Sequence, residues 1–112
     1  MPAHDPQMLK GVLSLLLLQL CATQEDYGYS LVVRLQQLGF VDLAEGTVYP
    51  ALSRLESQGF LDARLVRSAS GPARKYYTPT AAGIAERSRA LEAWDSLVVA
   101  VASVLTTQEV ST

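Results

Sequence analysis

The apolar residues of this chain change their spacing twice, and that change limits the fold more than any other feature. Up to Gly59 they recur at helical spacing. Leu31, Leu35 and Leu38 do so in one segment, and Val48, Ala51, Leu52 and Leu55 in the next. From Leu61 the period drops to two: Leu61, Ala63 and Leu65 alternate with Asp62, Arg64 and Val66, which is a strand pattern. Beyond Pro79 the helical period returns and runs to about Leu105. The spacing predicts a first helix from about Gln7 to Ala22, a second from Tyr27 to Leu38 stopped by Gly39, and a third from Gly46 to Gln58 stopped by Gly59. Gln24-Glu25-Asp26 reads as a polar break and the segment from Phe40 to Glu45 as a connecting loop. If Thr47 caps the third helix, Pro50 falls at its third position and loses no hydrogen bond.

The hairpin follows from turn chemistry. Ser68-Ala69-Ser70-Gly71-Pro72 separates the first strand from a returning one at Ala73 to Thr78, and Pro79 closes that strand where its missing donor does little harm. Thr80 can cap a long last helix starting at Ala81. Helix, helix, helix, hairpin, helix is the order of a winged helix-turn-helix with a helical extension, a mainly α chain with a small β-hairpin wing. At 112 residues, 49% hydrophobic and 18% charged, the chain suits one compact domain with its own core. Residues 1–79 read as the winged part and residues 80–112 as the extension, together one unit.

The amino end needs its own decision. Lys10 followed by the apolar run from Gly11 to Leu18, with Cys21-Ala22-Thr23 behind it, has the outline of a secretory signal. The run is too short to cross a bilayer, which takes about 20 residues. Pro2, Asp5 and Pro6 occupy the place of a basic leader, and Leu18-Gln19-Leu20 before Cys21 lacks the small residues of a lipoprotein signal. The segment therefore reads as a helix buried on more than one side, with Cys21 as a small core hydrophobe. One cysteine and one histidine exclude a disulfide framework and a zinc cluster. No Ser-His-Asp or Cys-His set can be built from His4 and Cys21, and no phosphate-binding glycine loop is present, so an enzyme is not expected.

The net charge is −2, yet its layout is uneven. Residues 46–79 hold Arg54, Arg64, Arg67, Arg74 and Lys75 against Glu56 and Asp62, an excess of +3. The remainder carries four cations against nine acids, −5. A basic middle on an acidic body is the footprint of a protein that meets phosphate with one face. On a helical wheel the third helix turns Pro50, Ser53, Arg54 and Ser57 away from its buried stripe, flanked by Thr47 and Tyr49. Short hydroxyls and one guanidinium suit a helix in a major groove, where Arg pairs bidentately with guanine. Gly71-Pro72-Ala73-Arg74-Lys75-Tyr76-Tyr77 adds two cations and two aromatics after the turn, and Arg64 and Arg67 lie on the partner strand. In that alternating pair one tyrosine can pack inward and the other point out.

These segments resemble the PadR family of bacterial transcriptional regulators over nearly the whole chain. The resemblance rests on Leu9-Lys10-Gly11, on Tyr27-Gly28-Tyr29, on the stretch from Glu45 to Glu56, on the stretch from Gly71 to Tyr77, and on Thr80-Ala81-Ala82-Gly83. It is the short form, with one carboxy-terminal helix; Pro79 and Ala81 depart from the residues usual beside the capping threonine. The resemblance implies a cytoplasmic, homodimeric repressor that binds double-stranded operator DNA and needs no cofactor. Thr47, Tyr49, Ser53 and Arg54 would approach bases, while Lys10, Arg64, Arg67, Arg74, Lys75 and Tyr76 or Tyr77 would hold the backbone. Leu91, Trp94, Val98, Val101 and Leu105 step by three and four residues in turn, a stripe suited to a helix–helix seam between subunits. Trp94 is the only tryptophan. It reads either as an interface anchor or, by analogy with drug-binding relatives, as a stacking platform for a small aromatic effector. Those relatives carry an acid one turn further on, where this chain has Val98. The alternative reading is a winged-helix protein-interaction module that does not bind DNA.

Overall fold

A computed structural model describes residues 4–107. Seven elements follow one another: α1 (Pro6–Thr23), β1 (Asp26–Tyr27), α2 (Gly28–Gln37), α3 (Glu45–Ser57), β2 (Leu61–Ser68), β3 (Gly71–Pro79) and α4 (Ala81–Thr106). The chain is mainly helical with an antiparallel wing, a winged helix-turn-helix followed by one long helix. The wing has three strands in the order β1-β3-β2, one more than the spacing predicts. The third strand is the supposed polar break. Asp26 pairs with Tyr77 and Tyr27 with Tyr76, so the chain docks on the free edge of β3 before entering α2.

Asp26 is buried, and its oxygens hold this entry in place. One accepts the Tyr27 amide at 2.9 Å; the other accepts the Ser30 hydroxyl at 2.7 Å and Arg34 Nη1 at 3.0 Å. A buried carboxylate requires such a set of donors, and α2 supplies two of them one and two turns along. At its start, α1 is capped by Asp5, whose Oδ1 accepts from the Gln7 and Met8 amides, with Pro6 at the first helical position.

The core gathers Leu13, Leu17, Leu18 and Cys21 of α1 with Leu31, Val32 and Leu35 of α2, the stripe Val48, Ala51, Leu52 and Leu55 of α3, and Leu61 and Tyr77 of the wing. Helix α1 is long and apolar enough to pass as a membrane span by length and composition. Its buried positions, Leu9, Leu13, Leu17, Leu18 and Cys21, nevertheless form one face of this core. The expectation of cover on more than one side fails within the single chain: Val12, Leu16 and Leu20 are only half-buried and Met8 is exposed.

Four other expectations change. Leu38 is 65% exposed and Val32 takes its place, because α2 stops at Gln37. Gly39 adopts a left-handed φ of 106° and the Phe40 amide bonds back to the Leu35 carbonyl at 2.9 Å, which swings Phe40 onto the core instead. Leu65 is 70% exposed because the hairpin projects beyond the helices that would cover it. The turn shrinks to Ala69-Ser70, so Gly71 and Pro72 begin β3, with a register shift between Val66 and Ser68. Helix α3 begins at Glu45 with Ala44 as cap, and the Thr47 amide already bonds to the Ala44 carbonyl. Pro50 is thus well inside the helix and forfeits the bond to the Gly46 carbonyl, on the exposed face where water can replace it.

Cys21 is 2% exposed, and burial pushes its thiol up to about 12. A thiol that is neither ionised nor accessible does not react. A chromogenic disulfide reagent at pH 8 is expected to label the native protein only at its opening rate, accelerating in step with denaturant. Immediate stoichiometric labelling would show that α1 is not packed as described.

Candidate nucleic-acid interface

Helix α3 fulfils the reading of its outward face. Thr47, Tyr49, Pro50, Ser53, Arg54 and Ser57 are all exposed, while the four stripe residues are buried. Arg54 makes no ion pair among the described residues, and the same is true of Lys10, Arg67 and Arg74. A crevice of about 470 Å³ connects α3 to the wing; Tyr49 and Ser53 line one wall, Arg74, Lys75 and Tyr77 the other, and Tyr27, Gly28 and Tyr29 its end. Lys10 lies exposed on α1 and does not line this crevice.

The two tyrosines of β3 divide as the strand period requires. Tyr77 is 7% exposed and packs into the core, while Tyr76 lies on the outer face opposite Tyr27 and Arg64. That outer face carries a row of alternating cations and rings. Arg74 sits 4.5 Å over the Tyr27 ring, Tyr27 and Tyr76 are 5.2 Å apart, and Arg64 lies 5.9 Å from Tyr76. Arg74 makes no side-chain hydrogen bond or ion pair among the described residues, so its guanidinium donors are open to an anion.

Two of the cations have carboxylate partners that spacing along the chain does not reveal. Arg64 holds Glu25 through Nε at 2.8 Å and Nη2 at 2.6 Å, and Lys75 Nζ bonds Glu56 at 3.0 Å. The Glu25 pair keeps that carboxyl below the usual carboxylate range, and Glu56 raises the Lys75 ammonium above its ordinary value. All four groups remain open to solvent, where such pairs contribute little and exchange readily for phosphate. Sequence reading also missed the Tyr27-Gly28-Tyr29 end of the crevice. There a Cβ on Gly28 would fall 2.6 Å from Tyr49 Cε1, so glycine is what lets the Tyr49 ring lie against the start of α2. Burial, followed by the nearby Glu45 charge, raises the Tyr49 phenol and keeps it a hydrogen-bond donor.

The Transcriptional regulator PadR-like family matches residues 17–89, which is more than half of the chain. This protein belongs to the PadR-like family. A PadR-like transcriptional regulator from Bacillus cereus is 34% identical, with 91% of this chain and 99% of that one aligned at a TM-score of 0.80. A PadR family regulator from Eggerthella lenta is 32% identical over 91% of this chain and 88% of its own, at a TM-score of 0.84. Bacillus subtilis PadR, solved in complex with operator DNA, is 29% identical over 71% of this chain and 46% of that one, at a TM-score of 0.66. No curated protein matches the sequence. PadR-like proteins are transcriptional regulators and not enzymes, and this chain corresponds to the short form with a single helix after the wing.

Proposed function

We propose that this PadR-like protein is a cytoplasmic repressor that binds double-stranded operator DNA as a homodimer. The observation that carries the reading is the crevice, because it joins the outward face of α3 to the cations of β3 on one side of the molecule. A helix laid in a major groove with a basic hairpin beside it meets bases and backbone together. In this arrangement Thr47, Tyr49, Ser53 and Arg54 approach base edges. Arg67 and Arg74 reach phosphates directly, Arg64 and Lys75 do so by leaving Glu25 and Glu56, and Tyr76 and Lys10 serve the flanks. The operator complex of Bacillus subtilis PadR supports this assignment by relationship.

Dimerisation is supported by α4. From Leu91 to Thr107 every residue is exposed, Leu91, Trp94, Val98, Val101 and Leu105 among them. The helix has 26 residues, about 39 Å, and so large a bare apolar surface calls for a partner helix. Residues 1–79 then form the DNA-binding part and residues 80–112 the pairing part of one unit. Trp94, 43% exposed, would lie at the seam, where a planar aromatic effector could stack.

The decisive experiment is fluorescence anisotropy with duplex DNA from upstream of the protein's own gene, against a random duplex, over a salt series. Arg74→Ala is expected to weaken both duplexes alike and to reduce the salt slope by about one ion, whereas Arg54→Ala should mainly erode the preference for operator. The reverse pattern would exchange the roles of wing and helix. Wild-type protein that ignores DNA at low salt would leave the protein-interaction module as the reading. Trp94 emission during titration with aromatic compounds tests the effector.

A further inference from the structure

Two carboxylates on the wing side of the molecule do little for the fold that holds them. Asp26 is buried and ties down the entry to α2, but its neighbour Glu25 spends both oxygens on one exposed guanidinium, accepting from Arg64 Nε at 2.8 Å and Nη2 at 2.6 Å. Glu56 accepts only from Lys75 Nζ, at 3.0 Å. Neither carboxylate has another hydrogen-bond partner among the described residues. The four side chains are between 31% and 64% exposed, so the pairs add little stability. Glu56 even stands in the last turn of α3, where the helix dipole favours a cation and disfavours an acid. The place of the two pairs on the wing accounts for them better. Arg64 ends the outer row of rings and cations beside Tyr76, while Lys75 lines the crevice opposite Tyr49 and Ser53. Each acid therefore meets a cation of the candidate DNA face, and the forked grip on Arg64 is the one a phosphate takes with two of its own oxygens.

We propose that Glu25 and Glu56 are intramolecular competitors for phosphate, which hold down the affinity of the wing for the DNA backbone. The proposal rests on the DNA-binding reading and adds to it a restraint that the cations alone do not show. To bind, Arg64 and Lys75 must either leave their acids or bring them along. Leaving costs the ion pair, and keeping it sets a carboxylate beside a phosphate, so both routes subtract from binding. The penalty falls on the backbone contacts, is the same on every sequence, and leaves the base contacts of α3 untouched. Arg54, Arg67 and Arg74 have no such acid among the described residues and contribute in full. A face restrained in this way holds the backbone weakly enough to leave a wrong site quickly, without loss of its preference between sites.

Glutamine in place of each acid tests the restraint, since it keeps the shape and removes the charge. By anisotropy at low salt, Glu25→Gln and Glu56→Gln should each tighten operator and random duplex alike by about fivefold, with a salt slope steeper by up to about one ion and an unchanged operator preference. Glu86→Gln is the control. It makes the same change in net charge, but its carboxylate bonds Arg89 within α4, and both affinities should stay as they are. The gain from Glu25→Gln should also fall away in an Arg64→Gln background, where no cation is left to compete for; a gain that persists there overturns the competition. Melting temperatures should stay close to that of wild type, and a large fall would make the acid a structural group and overturn its role. Weaker binding to both duplexes would make the acids positioning groups for their cations. Loss at operator alone would mean that Glu56 reads a base, and either result overturns the restraint as well. Wild type that binds neither duplex overturns the DNA-binding reading and the restraint with it, whereas wild-type binding with all three glutamine variants alike overturns the restraint alone.

Discussion

Gly83→Ala is expected to destabilise the protein by about 3 kcal/mol, a fall of roughly 10 °C or more in melting temperature, although alanine is the better helix former. Gly83 is the third residue of α4 and the only buried one. A Cβ there would penetrate the Phe60 carbonyl oxygen, which is backbone and cannot turn aside. That carbonyl also accepts the Thr80 amide at 3.1 Å, while the Thr80 hydroxyl donates to the Gly59 carbonyl at 2.6 Å and accepts the Gly83 amide at 2.9 Å. One glycine thus lets the start of α4 close against the turn that ends α3, and moving it strips the cap as well as crowding the turn. The helix-propensity gain of about 1 kcal/mol offsets only part of this. Gly11→Ala serves as the contrast, since it lies within α1 with nothing near its added methyl, and it should stabilise by about 0.5–1 kcal/mol. Thermal melts of the two variants decide the matter; equal melting temperatures would mean that α4 does not rest on Phe60.

Val98→Asp should separate the proposed dimer and lower operator affinity by about 100-fold or more. Val98 lies mid-way along the bare stretch of α4, in step with Trp94, Val101 and Leu105. A carboxylate there would have to enter an apolar seam without a partner, at a cost of several kcal/mol. Since Val98 touches none of the core, the isolated subunit should keep its fold and its melting transition. Sedimentation should give about twice the 12.1 kDa chain mass for wild type and the single mass for the variant. Affinity then falls because each winged unit meets its half-site alone. Wild type sedimenting as a single chain at high concentration would remove the dimer, and Val98→Asp binding operator at full strength would show that one subunit suffices.

How far the fold could be read from residues varies with the reach of the interaction involved. The stripe Val48, Ala51, Leu52 and Leu55 was legible because a helix face depends on spacing alone, and all four are buried. The stops at Gly39 and Gly59 were legible because only glycine easily takes the left-handed φ of 106° and 80° found there. Strand β1 was not, since two residues carry no period and Asp26-Tyr27 becomes a strand only through the free edge of β3. Leu38 and Leu65 fit their patterns, yet one sits past the end of its helix and the other on a hairpin that outruns the core. The interface divides along the same line. The outward residues of α3 and the cations of the wing stand out from composition, but the pairing of Glu25 with Arg64 and of Glu56 with Lys75 does not.

Local order along the chain by itself determined the succession of helices and hairpin, the stripe that α3 buries, the glycine stops, and the gathering of cations between Arg54 and Lys75. Only the tertiary structure decided which tyrosine of β3 keeps its hydroxyl at the crevice, which cations lean on carboxylates, and that the break before α2 becomes a strand. The physical reason is range. Periodicity and backbone preference act between near neighbours and are written in sequence, whereas a crevice, an edge pairing or an ion pair across 39 positions exists only after hydrophobic burial has brought distant segments together.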